Sequence, residues 1–192
     1  MHEFKIVVIG ASAGGMEALD KIVSAFDKDF FIPVVIVQHL APSSENYLVN
    51  YLDEHSHLKV VEATEKQNIL PGHIYLAPPN YHLLIEDDQT LSLAVSEKVN
   101  FSRPSIDVLF ETAIMAFRSK VIGVLLTGAS RDGAEGMRLI HEAGGMTIVQ
   151  DPKDAFVPVM PQAAINHTTV DYILPLEEIA PFLNTISSAK QR

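Results

Sequence analysis

Ser12 stands between two glycines in Gly10-Ala11-Ser12-Ala13-Gly14, His39 follows Val37-Gln38, and Asp132 ends a turn that begins at Thr127. A hydroxyl, an imidazole and a carboxylate are the parts of a nucleophilic relay. The imidazole takes the hydroxyl proton as the oxygen attacks a carbonyl carbon, and the carboxylate orients the imidazole. Chain order does not matter, because such triads are defined by geometry and role. The Gly-x-Ser-x-Gly spacing fits a strand-to-helix elbow, whose glycines permit a sharp turn that leaves the hydroxyl exposed. Plainer uses stand beside each residue. Ser12 could cap a helix or line a phosphate loop. Asp132, three residues before Glu135, could be one half of a capping box. His39 is one of eight histidines.

These residues can meet only if the elements before them are strands of one sheet. Phe4 to Ile9 reads as a buried parallel strand, and Met16, Leu19, Ile22, Val23 and Phe26 then fall on one helix face. Ile32 to Gln38 predicts a second strand, Glu45 to His55 a helix, and Lys59 to Ala63 a further strand. Ile74 to Leu76, Tyr81 to Ile85 and Leu91 to Ala94 are short strands between turn residues, which predicts a small antiparallel excursion with a hairpin at Asp87-Asp88-Gln89-Thr90. Pro104 opens an amphipathic helix carrying Ile106, Leu109, Phe110, Ala113, Ile114 and Phe117. Val121 to Leu126 reads as a central strand, with a helix from about Gly133 to Ala143 after it. Met146 to Gln150, a helix around Pro161 to Asn166, Asp171 to Leu174 and a helix over Leu176 to Ile186 close the chain. This alternation predicts an α/β fold: a doubly wound, mostly parallel sheet with helices on both faces and a short antiparallel hairpin. Residues 1–192 are expected to form a single domain. In such sheets ligands bind beyond the C-terminal strand ends, where Ser12, His39 and Asp132 all fall.

Composition narrows the function classes. With 14 basic against 24 acidic side chains the net charge is −10, which argues against a nucleic-acid surface. No cysteine is present, so thiol chemistry is excluded. The longest apolar run, Phe30 to Val37, is too short to span a bilayer, and the N-terminus has no signal-peptide pattern. A cytoplasmic protein without membrane insertion is expected. A dinucleotide site is disfavoured, because Ser12 replaces the second glycine of Gly-x-Gly-x-x-Gly and His39 stands where a ribose-binding acid belongs. His55 and His57 lack metal-site spacing, so neither a metal nor a cofactor is expected.

Taken in order, Gly10-Ala-Ser-Ala-Gly-Gly15, Val37-Gln-His39, Tyr75-Leu-Ala-Pro-Pro79, Arg103-Pro-Ser-Ile-Asp107, Leu126-Thr-Gly-Ala-Ser-Arg-Asp-Gly-Ala134 and Gln150-Asp-Pro152 resemble the catalytic domain of the chemotaxis receptor methylesterases, the CheB family. The similarity runs from about Phe4 to Pro181. It implies hydrolysis of glutamate methyl esters on the cytoplasmic helices of chemoreceptors, with deamidation of receptor glutamines in many members. Ser12 is then the nucleophile, His39 the general base and Asp132 the orienting carboxylate. The oxyanion would be held by the backbone N–H of Ala129 from the resemblance and that of Ala13 from elbow logic. Three departures stand out. The family usually carries a receiver domain ahead of the catalytic one, whereas here the first strand starts at residue 4. A stand-alone catalytic domain is therefore expected, with a separate response-regulator receiver in trans as a further partner. Ala13 replaces a common threonine, and Ala129-Ser130 replaces Met-Gly. Arg103 is a candidate contact to an acidic receptor helix, against a plain solvated role. The other readings left open are an esterase or amidase with a different substrate, and a binding module that keeps the fold without turnover.

Overall fold

The computed structural model describes residues 3–40 and 47–188. In chain order the elements are β1 (Ile6–Ala11), α1 (Gly15–Ser24), β2 (Val34–Gln38), α2 (Tyr47–His55), β3 (Lys59–Glu62), β4 (Gln67–Asn68), β5 (His73–Leu76), β6 (His82–Ile85), β7 (Thr90–Ala94), α3 (Ile106–Phe117), β8 (Val121–Leu125), α4 (Ala134–Glu142), β9 (Met146–Gln150), α5 (Val159–His167), β10 (Tyr172–Leu174) and α6 (Leu176–Ser188). Seven strands form one sheet in the order β10-β9-β8-β1-β2-β5-β3, with every pairing parallel. Strands β4, β7 and β6 make a separate antiparallel sheet.

Side chains alternate between two cores because the central sheet is covered on both faces. Val7, Ile9 and Ala11 of β1 join the cluster that includes Leu19, Ile22 and Leu183 of α1 and α6. Ile6 and Val8 join the other, with Leu109 and Phe110 of α3 and Ile140 of α4. That is why β1, β8 and β2 up to Val37 carry no polar side chain and no period-two pattern.

Several expectations are corrected. Ile74 to Leu76 belongs to β5, which lies in the parallel sheet between β2 and β3; its side chains are buried on both faces. The antiparallel excursion is built instead from β6, β7 and the two-residue β4. Pro104 does not start α3: Ser105 is the N-cap, accepting the Val108 N–H on its hydroxyl, and the helix begins at Ile106. The peptide Arg103–Pro104 is cis. Met16, expected on the buried face of α1, is 43% exposed. The first two residues of the expected helix Glu45 to His55 lie outside the described residues. Among the described residues no helix is long and apolar enough to cross a membrane, and no cluster of three metal-ligating side chains occurs. His55, at the end of α2, instead bonds the Tyr51 carbonyl at 2.7 Å, and His57 is exposed.

Candidate active site

Register brings the first two residues together. Strands β1 and β2 pair with Ala11 opposite Gln38, so Ser12 and His39 leave adjacent strands at the same level. The ladder continues past both ends: His39 N–H donates to the Ala11 carbonyl at 3.0 Å, and Ser12 N–H to Thr127 beyond β8, also at 3.0 Å. Connections run to opposite sides from β1 and β8, the switch point where open α/β sheets form their crevice.

Ser12 Oγ lies 3.2 Å from His39 Nδ1, and His39 Nε2 lies 2.8 Å from Asp132 Oδ2. With the Nε2 proton donated to Asp132, Nδ1 presents a lone pair to the hydroxyl. The three residues expected from the sequence therefore meet.

The elbow is locked from several sides. Gln38 donates from Nε2 to the carbonyls of Ser12 and His39, at 2.9 and 3.0 Å. Thr127 Oγ1 donates to the Ala13 carbonyl at 2.8 Å and accepts the Val157 N–H at 2.9 Å. Gly14 has φ 78°, in the left-handed region where a side chain is strained, and Phe156 packs where its Cβ would go.

Asp132 is fully buried and caps a helix, though not its own. Gly133 is the N-cap of α4 and makes no side-chain cap, so the capping box with Glu135, the plainer alternative for Asp132, does not form. The carboxylate instead sits on the N-terminus of α3, accepting Ile106 N–H at 2.6 Å on Oδ2 and Asp107 N–H at 3.2 Å on Oδ1. Ser105 Oγ and Asn100 Nδ2 also donate to Oδ1, at 2.8 and 2.9 Å. Burial pushes Asp132 upward, but hydrogen bonds from His39, Asn100 and the two amides outweigh it and hold the carboxyl below its usual range. An anion at a helix N-terminus is also favoured by the helix dipole.

The departures in the turn are accommodated. Neither Ala129 nor Ser130 has positive φ, so glycine is not required there. Ser130 Oγ accepts the Asp132 N–H at 3.2 Å. Gly128 N–H is committed to the Val157 carbonyl. Among the described residues, neither the Ala13 nor the Ala129 N–H is taken by another backbone group. Arg103 is not simply solvated: its guanidinium donates to the Ser96 carbonyl at 2.7 Å and to Asn80 Oδ1 at 2.9 Å, tying two loops together.

A family model described as CheB methylesterase matches residues 7–183. The chain belongs to the CheB methylesterase family. It is 51% identical over 177 residues to a Leptospira interrogans protein named putative protein-glutamate methylesterase/protein-glutamine glutaminase, covering 92% of each chain. A Caulobacter vibrioides protein-glutamate methylesterase/protein-glutamine glutaminase is 36% identical over 181 residues, and there the chain spans 52% of the relative's length. The crystal structure of the Thermotoga maritima CheB methylesterase catalytic domain superposes with a TM-score of 0.91 at 36% identity, covering 96% of this chain and 99% of that one. The mostly parallel sheet with its small antiparallel sheet is the fold of that catalytic domain.

The sequence analysis gives no role to Asn100, Ser105, Asp107, Gln38 or Thr127, which hold the CheB site together, although all but Asn100 lie in the motifs that carry the resemblance. A physical signal is also present at Gln38, a polar residue ending an otherwise apolar buried strand, where burial demands hydrogen-bond partners.

Proposed function

We propose that this CheB-family chain is a serine hydrolase that cleaves glutamate methyl esters on protein side chains, and deamidates glutamines by the same chemistry. The single observation that carries this reading is the continuous hydrogen-bonded path Ser12–His39–Asp132 at the sheet's switch point. Ser12 Oγ attacks the ester carbonyl carbon while its proton passes to His39 Nδ1. Asp132 holds the Nε2 proton and stabilises the imidazolium that forms. The oxyanion is taken by the Ala129 and Ala13 amides. Collapse of the tetrahedral species breaks the bond to methoxide, which leaves as methanol with the proton from Nδ1. Water repeats the sequence on the acyl-enzyme and releases a glutamate carboxylate and free Ser12. A glutamine side chain follows the same path with ammonia as the leaving group.

The proposed substrate is a methylated cytoplasmic helix of a chemoreceptor. The rim beside His39 suits such a helix. A cavity of about 230 Å³ is lined by His39, Lys98, Phe101 and Arg103 among others, with two cations and no carboxylate, on a chain of net charge −10. Phe101 is 95% exposed at φ 63°, a conformation costly for an aromatic residue, at the tip of the tight turn between Val99 and Ser102. An exposed ring next to a cationic pocket fits the apolar stripe and glutamates of an amphipathic helix. A separate receiver in trans remains the proposed regulatory partner, and the cytoplasm the proposed location.

The test is methanol release from a methylated receptor fragment. Wild-type protein releases methanol and Ser12→Ala does not; equal release by both removes Ser12 from the nucleophile's role.

A further inference from the structure

Behind Asp132 lies a second carboxylate that the mechanism above does not use. Asp107, the second residue of α3, accepts the Gly136 N–H on Oδ1 at 2.7 Å. Its Oδ2 accepts a hydrogen bond from Asn100 Nδ2, also at 2.7 Å. The same Nδ2 donates its other hydrogen to Asp132 Oδ1 at 2.9 Å. One carboxamide therefore bridges two acids. Its orientation is fixed, because a flipped amide would turn its oxygen toward two acceptors. Asn100 has φ 50°, a left-handed conformation that asparagine tolerates better than most residues, and this aims its side chain inward while Phe101 points out.

We propose that Asp107 is a positioning residue for the Ser12–His39–Asp132 path, acting through the Asn100 carboxamide that joins the two carboxylates. The inference rests on the hydrolase reading. Ionised Asp107 does two things. It holds Asn100 as a charge-assisted acceptor, so that Asp132 cannot rotate away from His39. It also places a second negative charge behind Asp132, which favours the imidazolium formed as Ser12 attacks. Protonation of Asp107 weakens both effects.

Burial pushes the Asp107 carboxyl up to about 6, the Gly136 amide opposes this and the Asp132 charge adds to it. The group therefore changes charge near the working range of an imidazole base. The charged or titratable groups around it are Asp132 and Arg131 from the β8–α4 loop, Glu135 from α4 and His167 from α5; the last three share with it a cavity of about 300 Å³. Arg138 and then His167 hold Glu135 down at about 2, so it stays charged throughout. His167 pairs with Glu135 at 2.8 Å and does not bond Asp107.

The experiment measures the rate of Ser12 labelling by a fluorophosphonate between about pH 5 and 8, which needs no knowledge of the ester substrate. The acid limb of the wild-type profile should contain two protonations and that of Asp107→Asn one fewer. Labelling at the alkaline end should fall about tenfold, in line with the loss of groups that orient a functional imidazole or carboxylate. His167→Gln is expected to keep both protonations. Should Asp107→Asn not fold, Asn100→Ala severs the bridge while leaving both acids; it should label about as slowly as expected for Asp107→Asn, with the Asp107 protonation moved to higher pH. A folded Asp107→Asn or Asn100→Ala with the wild-type rate and profile overturns the positioning role while leaving the hydrolase reading intact. A wild-type protein that never labels at Ser12 overturns both.

Discussion

Asp132 accepts the Ile106 amide at 2.6 Å, so the carboxylate facing His39 also holds the first amide of α3, beside the Ser105 N-cap. One group orients the imidazole and anchors the helix that packs across β1. Asp132→Asn should therefore fail twice. An amide in place of the acid disfavours the required imidazole tautomer, and turnover should fall by roughly 10⁴-fold. Loss of the charged cap should also lower stability by about 1–2 kcal/mol. Steady-state kinetics and denaturant unfolding measure the two effects separately.

The approach of α3 to the elbow depends on Gly10. A Cβ there would lie 2.4 Å from Ile106 Cγ2, too close for the helix start to stay in place. Gly10→Ala should cost about 1–3 kcal/mol of stability. It should also lower turnover with little change in KM, because the displaced Ile106 amide is a ligand of Asp132. Full activity in a folded Gly10→Ala protein would show that Asp132 does not depend on this contact.

The two acids around Asn100 should have opposite effects on stability as pH changes. Asp107 is raised from 3.8 to about 6, so across that window the folded protein keeps a proton that the unfolded chain has lost. Its contribution is therefore present below that window and lost as pH rises through about 6. Asp132 is lowered, so its contribution is present above the usual carboxylate range and is lost as pH falls through its folded value. Denaturant unfolding as a function of pH should show a fall in wild-type stability across the Asp107 window that is absent from Asp107→Asn.

Phe101 makes its own prediction, because an exposed ring contributes little to folding. Phe101→Ala should leave the folding midpoint and fluorophosphonate labelling at wild-type values. It should raise KM for a receptor fragment roughly tenfold, the usual scale for truncating an aromatic anchor. An unchanged KM would assign the docking contact elsewhere on the rim.

Much of this architecture is legible in the sequence. Fully apolar strands, the small-residue elbow after β1 and His39 at the end of β2 give the sheet and two members of the hydrogen-bonded path. Asp132 was legible as a candidate, but its partner was not. A capping box is a local pattern, whereas the cap actually formed reaches from residue 132 to residue 106, a contact set by tertiary packing. The contacts of Asn100 and Asp107 are not legible for the same reason: their bonds to Asp132 span 32 and 25 positions and leave no trace in periodicity, although Asp107 ends one of the resemblance motifs. The placement of β5 is not legible because five residues bounded by Gly72 and Pro78 look alike in a hairpin and in a buried parallel strand.

The direct measurement of the central claim is the site of covalent capture. Wild-type protein treated with a fluorophosphonate and mapped by peptide mass should carry the adduct on Ser12, with labelling lost in Ser12→Ala and strongly slowed in His39→Ala. Labelling at another residue, or wild-type labelling of Ser12 that proceeds undiminished without the imidazole of His39, would contradict it.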